Sequence, residues 1–345
     1  MPDGGRILIT GIAGVLAAQL ARRLSEHDDV DLVIGVDARL PVHDLKQTRI
    51  VRAELRSPEI VRVLERERID TLVHLAISST PQQTGGRGRP KEHNVIGTMQ
   101  LLAAAQRAPH LRNVVLKSTT AVYGSDATSQ ALFAEEVATD AAGGYAKDVI
   151  EAEGYARALV RRRDGVVLTV LRFANLLGGN IDSAFAQYLT FPVIPTVLGY
   201  DPRIQLCHTS DAVEVLVRSC LDNRPGIYNV AGDGVLYLSQ IARIAGRPTL
   251  PIPLPMVEGL AGVVRRARRL DVPAGQLRYL SYGRVADISR LQDHFGYQPN
   301  YSTRATLEAF LAERGVRPLV DQSRWRQLEL RALTLARNIT GAQGP

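Results

Sequence analysis

The stretch that decides the fold is RILITGIAGVLA, residues 6–17. It reads as a short apolar strand, a turn that contains Gly11 and Gly14, and the start of a helix. Gly11 permits a tight turn, Gly14 lets backbone approach a pyrophosphate, and the first N–H groups of a helix attract phosphate. This pattern predicts that Gly11, Gly14, Val15 and Leu16 bind a dinucleotide.

The second apolar run ends at Asp37, twenty residues after Ala17. At that distance a carboxylate accepts hydrogen bonds from the hydroxyls of an adenosine ribose. A carboxylate also repels a 2′-phosphate, so Asp37 favours NAD as the cofactor. Arg39 could pair with such a phosphate, which leaves NADP open, and Asp37 could also be a plain charge at a strand end.

Apolar runs bounded by turn residues recur along the chain, with helical patterns between them. They cover Ile7–Thr10, Leu32–Asp37, Thr71–Leu75, Val114–Ser118 and Leu168–Phe173. In the first helical stretch, leucines at 16, 20 and 24 repeat every four residues and form one apolar face. The alternation predicts an α/β fold, a Rossmann-type doubly wound parallel sheet with helices on both faces.

Proline clusters after Asn175 indicate a second lobe, and GIYNVAG, residues 226–232, reads as a strand that rejoins the first sheet. We expect an NAD(P)-binding Rossmann domain over residues 1–178, joined again by 204–235; a smaller, discontinuous substrate lobe over 179–203 and 236–317; and a C-terminal helical tail over 318–345. From Trp325 onward the tail repeats apolar residues at three- and four-residue steps. This predicts docking on its own chain or on a second copy in a homodimer.

Composition bounds the class of protein. Of the 345 residues, 45% are hydrophobic and 22% charged, which is ordinary for a soluble globular protein. The net charge of +7 comes almost wholly from dispersed arginines, which argues against a dedicated nucleic-acid patch. Cys207 and Cys220 match no metal-ligand or disulfide spacing and should be core residues, and no apolar stretch is long enough to span a bilayer. We therefore expect a cytoplasmic protein without a metal.

Two short segments carry further hypotheses. The run TGGRGRP, residues 84–90, predicts a mobile loop that could cover a ligand. The run RRARR, residues 265–269, follows an apolar stretch. It predicts either a membrane-surface helix or a solvated helix end.

Four further segments are more specific than the glycine turn: VHLA at 73–76, NVIGT at 94–98, STTAVYG at 118–124 and LRFAN at 171–175. With the turn, they make residues 6 to 310 resemble the extended short-chain dehydrogenase/reductase family, in its NAD-dependent epimerase/dehydratase branch and its UDP-glucose 4-epimerase-like members. The resemblance implies an isomerase or oxidoreductase. Its substrate would be a nucleotide sugar, and it would work by transient hydride transfer with NAD.

The resemblance also implies a role for each matched residue. Glu54 and Leu55 flank the adenine, Leu75 and Ala76 line the middle of the cofactor, Asn94 holds the backbone beneath it, Phe173 and Ala174 touch the nicotinamide end, and Asn175 faces the sugar nucleotide. Thr119 orients the reacting oxygen, and Tyr145 exchanges its proton. His74 is expected to be structural, and Asn94 is equally well explained as a helix cap.

One catalytic position is missing. The family's tyrosine is followed four residues later by a lysine, one helical turn on, whereas Tyr145 is followed there by Val149. Glu153 falls where the family has Glu, so the register is correct. That lysine holds the nicotinamide ribose and favours phenolate formation from a reference pKa of about 10, so Tyr145 should be a poorer base. Lys147 lies about 200° around the helix from Tyr145 and should point to solvent.

Lys117 is a candidate for the missing charge. Residues two apart on a strand share a face, so Lys117 should project on the same side as Thr119. The positive nicotinamide ring of the cofactor could also help to lower the pKa of Tyr145. Both sources of charge remain open from the sequence.

In the second lobe, Arg203 and Arg284 are candidates for gripping a diphosphate, because guanidinium forks suit that geometry. Arg203 is one residue out of register with the family's arginine, and Arg284 is equally well explained by a surface ion pair. Two other functions stay open. One is an NAD(P)H-dependent ketoreductase of a small molecule; the other is a dinucleotide-binding protein with impaired catalysis, which Val149 motivates.

Overall fold

The computed structural model describes residues 4–43, 45–77, 92–140, 144–254 and 279–320. The hypotheses for the loop at 84–90, the basic run at 265–269 and the tail beyond residue 320 lie outside the described residues.

The described residues alternate strands and helices. The strands are β1 (Gly5–Thr10), β2 (Val30–Asp37), β3 (Arg49–Arg52), β4 (Thr71–His74), β5 (Asn113–Thr119), β6 (Val167–Phe173), β7 (Asn175–Leu177), β8 (Ile194–Val197), β9 (Arg203–Ile204), β10 (Leu206–His208), β11 (Gly226–Val230), β12 (Leu236–Tyr237), β13 (Thr249–Ile252) and β14 (Gly283–Arg284). The α-helices are α1 (Val15–Ser25), α2 (Pro58–Arg66), α3 (Thr98–Ala105), α4 (Gly144–Arg162), α5 (Ala184–Leu189), α6 (Thr209–Leu221), α7 (Leu238–Ile244), α8 (Ser289–Asp293) and α9 (Thr303–Glu313). A π-helical segment, Glu92–Gly97, leads into α3, and a 3₁₀ turn, Thr120–Tyr123, follows β5.

The main sheet has seven strands in the order β11-β6-β5-β4-β1-β2-β3. Every neighbouring pair in it is parallel. The Rossmann-type α/β fold predicted from the apolar runs is therefore confirmed. Since the strands are parallel, their carboxyl ends share one edge, and the order reverses between β1 and β4. That point is where open α/β sheets bind ligands.

Helices cover both faces of the sheet. On one face, α1 and α6 bury Leu16, Leu20 and Leu216 in one core. On the other, α2, α3 and α4 bury Ile60, Leu101 and Leu159 in a second core. The leucine repeat of the first helix predicted this packing, and both cysteines are free and buried, as expected.

The short strands outside the main sheet form the pairs β10-β7 and β13-β8 and the sheet β12-β9-β14, and we call this part of the described chain the second lobe. Its core contains Phe185, Ile241 and Phe310. Asp211, in the first turn of α6, accepts hydrogen bonds from the Tyr297 hydroxyl at 2.7 Å and from the backbone N–H groups of Asn300 and Tyr301. This carboxylate fixes the segment that precedes α9 against α6.

Within the described ranges, none of the helices combines the length and the hydropathy that a membrane crossing requires. The same part of the chain contains no group of three or more His, Cys, Asp or Glu side chains placed to hold a metal ion.

We predict that Gly11→Ala lowers the free energy of unfolding by about 2 kcal/mol or more. Gly11 has φ of 78°, and an added Cβ would lie 2.9 Å from the backbone N and Cα of Ala76. The matched control is Gly154→Ala in α4, where an added Cβ meets nothing within 4 Å. This variant should gain about 0.5–1 kcal/mol from helix propensity. Chemical denaturation measures both, and a Gly11→Ala protein as stable as the parent would contradict the assignment of the turn.

Candidate active site

The glycine turn connects β1 to α1 at the carboxyl edge of the sheet. The N–H of Gly11 donates to the carbonyl of Val36 at 2.8 Å, and that of Gly14 donates to the carbonyl of Gly11 at 2.9 Å. Gly14 is the N-cap of α1, and no side chain caps this helix. The first N–H groups of α1, which include those of Val15 and Leu16, are therefore not satisfied by a capping side chain. The turn has the features of an anion-binding helix N-terminus.

Asp37 is tied directly to this turn. Its Oδ2 accepts a hydrogen bond from the backbone N–H of Ala13 at 3.2 Å, and its Oδ1 accepts one from the N–H of Arg39 at 2.9 Å. The Nε of Arg39 lies 3.9 Å from the same Oδ1. Arg39 is thus held by Asp37 in this structure. The arrangement favours the NAD interpretation over the alternative in which Arg39 holds a 2′-phosphate.

The residues expected beside the adenine have different environments. Glu54 is exposed and pairs with Arg56 at 2.9 Å. Leu55 is buried, and an added Cβ on Gly97 would lie 3.1 Å from its Cδ1. Leu55 therefore packs on the helical segment that leads into α3.

His74 closes β4 as a structural residue, as predicted. Its ring nitrogens bond to the hydroxyls of Thr10 at 2.7 Å and Thr98 at 2.8 Å. Burial lowers the pKa of His74 to about 3, with further lowering by His93 and Lys117. The neutral ring joins β1, β4 and α3.

After His74 the chain passes the crevice at the carboxyl edge of the sheet, where the strand order reverses between β1 and β4. Leu75 is buried and Ala76 is half-buried, and the Nε2 of His93 lies 3.0 Å from the carbonyl oxygen of Ala76. Sequence reasoning missed His93, although it directly precedes Asn94 of the recognised NVIGT segment. On the neighbouring strand, the Nζ of Lys117 donates to the carbonyl of Ile77 at 3.2 Å.

Thr119 and Tyr145, the expected reacting pair, lie at the end of β5 and in the first turn of α4. The Oγ1 of Thr119 accepts a hydrogen bond from the N–H of Ala121 at 3.2 Å, which caps the 3₁₀ turn. Burial and, secondly, the carboxylate of Asp148 raise the pKa of Tyr145 above its usual value. The surroundings of Tyr145 thus favour the protonated phenol.

The positions around Tyr145 explain this bias. Val149 is 0% exposed and belongs to the core beneath α4, whereas Lys147 is exposed. Asn94 is buried inside the π-helical segment, and its Nδ2 donates to Oδ2 of Asp148 at 3.3 Å. Asn94 therefore ties the π-helical segment to α4 through Asp148. Asp148 was missed by sequence reasoning, and its spacing of three residues from Tyr145 is the signal that could have found it.

A buried polar network lies beneath these residues. Arg172 of β6 donates from Nε and Nη2 to the two carboxylate oxygens of Glu153 at 3.0 and 2.8 Å. The Ser118 hydroxyl donates to Glu153 at 2.6 Å. Arg172 also donates to the Tyr123 hydroxyl at 2.9 Å, which in turn donates to Asn229 at 2.8 Å. Despite burial, the hydrogen bonds and charge of Arg172 lower the pKa of Glu153 and keep the carboxylate ionised.

Asn175 and Arg284 meet at Tyr279, which sequence reasoning missed. The Nδ2 of Asn175 donates to the Tyr279 hydroxyl at 2.6 Å, and the Arg284 guanidinium lies 5.2 Å from the centroid of the Tyr279 ring. The Nε of Arg284 donates to the carbonyl of Gly124 at 2.8 Å. Phe173 and Ala174, which precede Asn175 at the end of β6, are both buried.

The interpretation of Arg284 as half of a surface ion pair is wrong. Burial lowers the pKa of Arg284 to about 10, opposed by the Tyr279 phenol, and no carboxylate in the described part of the chain pairs with it. Arg203 has a different position. Arg284 pairs in register with Ile204, whose side chain is buried in the core of the second lobe, so Arg203 projects from the opposite face of the sheet. The two arginines do not converge.

The chain matches a protein-family model and a bacterial relative. The model of the NAD dependent epimerase/dehydratase family matches residues 7–231. An uncharacterized protein of Mycobacterium tuberculosis is 39% identical over 345 residues, which covers 98% of this chain and 92% of the relative.

Solved structures resemble the chain in fold. MoeE5 in complex with UDP-glucuronic acid and NAD has a TM-score of 0.69 and 22% identity, with 90% of this chain and 98% of that chain covered. UDP-glucuronic acid 4-epimerase from Bacillus cereus, in complex with UDP-glucuronic acid and NAD, has a TM-score of 0.67 and 19% identity, with 90% and 99% covered. At these identities the likeness shows the shared fold.

We predict that Arg172→Met lowers the free energy of unfolding by about 3–5 kcal/mol, because it leaves the buried Glu153 carboxylate without its main partner. The control is Arg157→Met. Arg157 also pairs with Glu153, at 3.0 Å, but its side chain is 37% exposed, so the loss should stay below about 1 kcal/mol. Equal, small losses for the two variants in chemical denaturation would show that the network does not stabilise the site.

Proposed function

This chain belongs to the NAD-dependent epimerase/dehydratase family, and we propose that it acts on a nucleotide sugar by transient hydride transfer. The observation that carries the proposal is the half-buried Arg284 guanidinium. It lies beside Gly124, at the end of the turn that Thr119 begins, and it lacks a carboxylate partner among the described residues. A binding site for an anionic substrate group thus adjoins the candidate reacting residues.

The residues at the carboxyl edge fit NAD. The turn at Gly11 leaves no space for a side chain, since an added Cβ would meet the Ala76 backbone at 2.9 Å. Gly11, Gly14 and the uncapped N-terminus of α1 would hold the pyrophosphate, and Asp37 would accept the ribose hydroxyls. Bound NAD supplies the hydride acceptor at its nicotinamide ring.

Thr119 and Tyr145 would handle the proton of the reacting hydroxyl or carbonyl. The Thr119 oxygen already accepts from Ala121, and its hydroxyl hydrogen can donate to a substrate oxygen. Because the pKa of Tyr145 is raised, the phenol is protonated at neutral pH and suited to donate a proton to a carbonyl oxygen. Removal of a proton by Tyr145 is disfavoured, so we expect slow turnover in the oxidising direction.

The second lobe supports a sugar nucleotide as the substrate. Arg284 offers guanidinium donors in a fork that matches diphosphate oxygens, and the Asn175–Tyr279 pair adds an amide and a phenol beside it. The MoeE5 and Bacillus cereus structures contain UDP-glucuronic acid together with NAD. The same class of substrate is proposed for this chain.

A second function has specific support: a dinucleotide-binding protein with strongly reduced catalysis. Val149 lies in the apolar core, and Asp148 raises the pKa of Tyr145 further. Both features oppose proton removal by Tyr145.

For either function we propose the cytoplasm as the compartment, because both cysteines are free and buried and fit a reducing environment.

We predict that Tyr145→Phe lowers turnover of the best substrate in a panel of UDP-, GDP- and dTDP-sugars by about a hundredfold or more. The variant has no hydroxyl to exchange a proton, while its ring would still pack against the core beneath α4. Tyr155→Phe, also in α4, serves as the matched control and should keep parental turnover. Chromatography of the products measures both.

The remaining outcomes separate the alternatives. Unchanged turnover in Tyr145→Phe would remove Tyr145 from the mechanism. A parent protein that binds NAD and turns over none of the panel would favour the binding function, and a stoichiometric demand for reduced nicotinamide would identify a ketoreductase.

A further inference from the structure

Lys117 lies at the carboxyl edge of the sheet, where none of the described carboxylates pairs with it. It precedes Thr119 by two residues on β5, so the two side chains share one face of the strand. Its Nζ donates to the carbonyl of Ile77 at 3.2 Å, just beyond the end of β4. Within the described ranges it enters no ion pair. An ammonium has three donors, and this bond uses one of them.

On the helix side of the same crevice, the described residues of the first two turns of α4 place no cation inward. Val149 is fully buried among apolar side chains of the α4 core, and Lys147 is exposed. The charged group closest in sequence to Tyr145 on the inner face of α4 is Asp148, a carboxylate. Positive charge therefore enters the crevice from β5 and not from α4.

A purely structural role explains Lys117 poorly. Burial disfavours the charged form of a lysine, and a bond to one neutral carbonyl offsets little of that cost. The histidines that face Lys117 add no compensating negative charge, since His93 and Lys117 both act on His74 as positive neighbours. An apolar side chain would fill this position at lower cost.

We propose that Lys117 binds the ribose hydroxyls at the nicotinamide end of NAD and supplies from strand β5 the positive charge that Val149 cannot supply from α4. The two donors not used by Ile77 would bind these hydroxyls. The inference rests on the proposed function as far as NAD binding is concerned, and it does not depend on the identity of the sugar.

The protonation state of Lys117 provides a signature. Burial lowers the pKa of Lys117 to about 8, so the ammonium is present below that pH and is lost above it. Two histidines lie near it: His74 from β4, on which Lys117 acts as a positive neighbour, and His93 from the π-helical segment, which acts on the same ring. His74 stays neutral in this range, since its pKa is about 3. NAD affinity should therefore fall as the pH rises through about 8.

The test is the NAD dissociation constant, measured by calorimetry without any sugar between about pH 7 and pH 9. We expect Lys117→Met to weaken NAD binding about tenfold or more at the lower pH and to abolish the fall in affinity through pH 8. Lys147→Met, the exposed control, should keep both the affinity and the pH dependence of the parent.

Two results would overturn the proposal: parental NAD affinity in a folded Lys117→Met protein, or a pH-independent affinity in the parent. A pH-independent NAD affinity of the parent protein would overturn the proposal even if Lys117→Met does not fold. A chain that binds NAD in the predicted manner and turns over no sugar would count against the proposed function and leave this inference standing.

Discussion

The ion pair between Arg172 and Glu153 is the interaction on which the geometry of the site depends. It joins β6 to α4 in the protein interior, and Ser118 of β5 donates to the same carboxylate. The candidate reacting residues are close in sequence to the members of this network. Thr119 directly follows Ser118, Phe173 directly follows Arg172, and Tyr145 lies about two helical turns before Glu153. A buried pair of this kind fixes relative positions more than it adds stability.

The opposite end of the crevice is fixed by a second, smaller unit. Asp37 accepts from the N–H of Ala13, so the carboxylate at the end of β2 and the glycine turn after β1 hold each other in place. The backbone and the carboxylate that we propose to bind phosphate and ribose are thereby held in place before any ligand arrives, which lowers the ordering cost of binding. On α4, the carboxylate of Asp148 raises the pKa of Tyr145, whereas Lys117 extends from β5 to the carbonyl of Ile77.

Much of this architecture follows from the sequence. Strands β1, β2, β4, β5 and β6 coincide with the predicted apolar runs because an inner parallel strand is buried on both faces, and β11 lies in the predicted segment 226–232. The edge strand β3 was missed because it is largely exposed. The glycine turn is recognisable because its conformation excludes other residues. Because side chains alternate between the two faces of a strand, the sequence also predicted that Lys117 and Thr119 share one face of β5.

Other features depend on contacts between distant segments, which local patterns do not report. Asn94 donates to Asp148 across 54 positions, and Asn175 donates to Tyr279 across 104. The burial of Arg284 depends on the packing of the second lobe onto Gly124, so its sequence neighbourhood was equally compatible with a surface ion pair. The structure therefore adds mainly the polar partners of the recognised motifs.

We propose that the carboxyl edge of this sheet binds NAD and that Asp37 selects NAD over NADP. This is tested by the dissociation constants of NAD and NADP for the parent protein and for Asp37→Asn. We expect the parent to bind NAD at least about tenfold more tightly than NADP, and the preference to shrink in the variant because the 2′-phosphate is no longer repelled. A parent protein that binds NADP as tightly as NAD, or neither nucleotide, would contradict it.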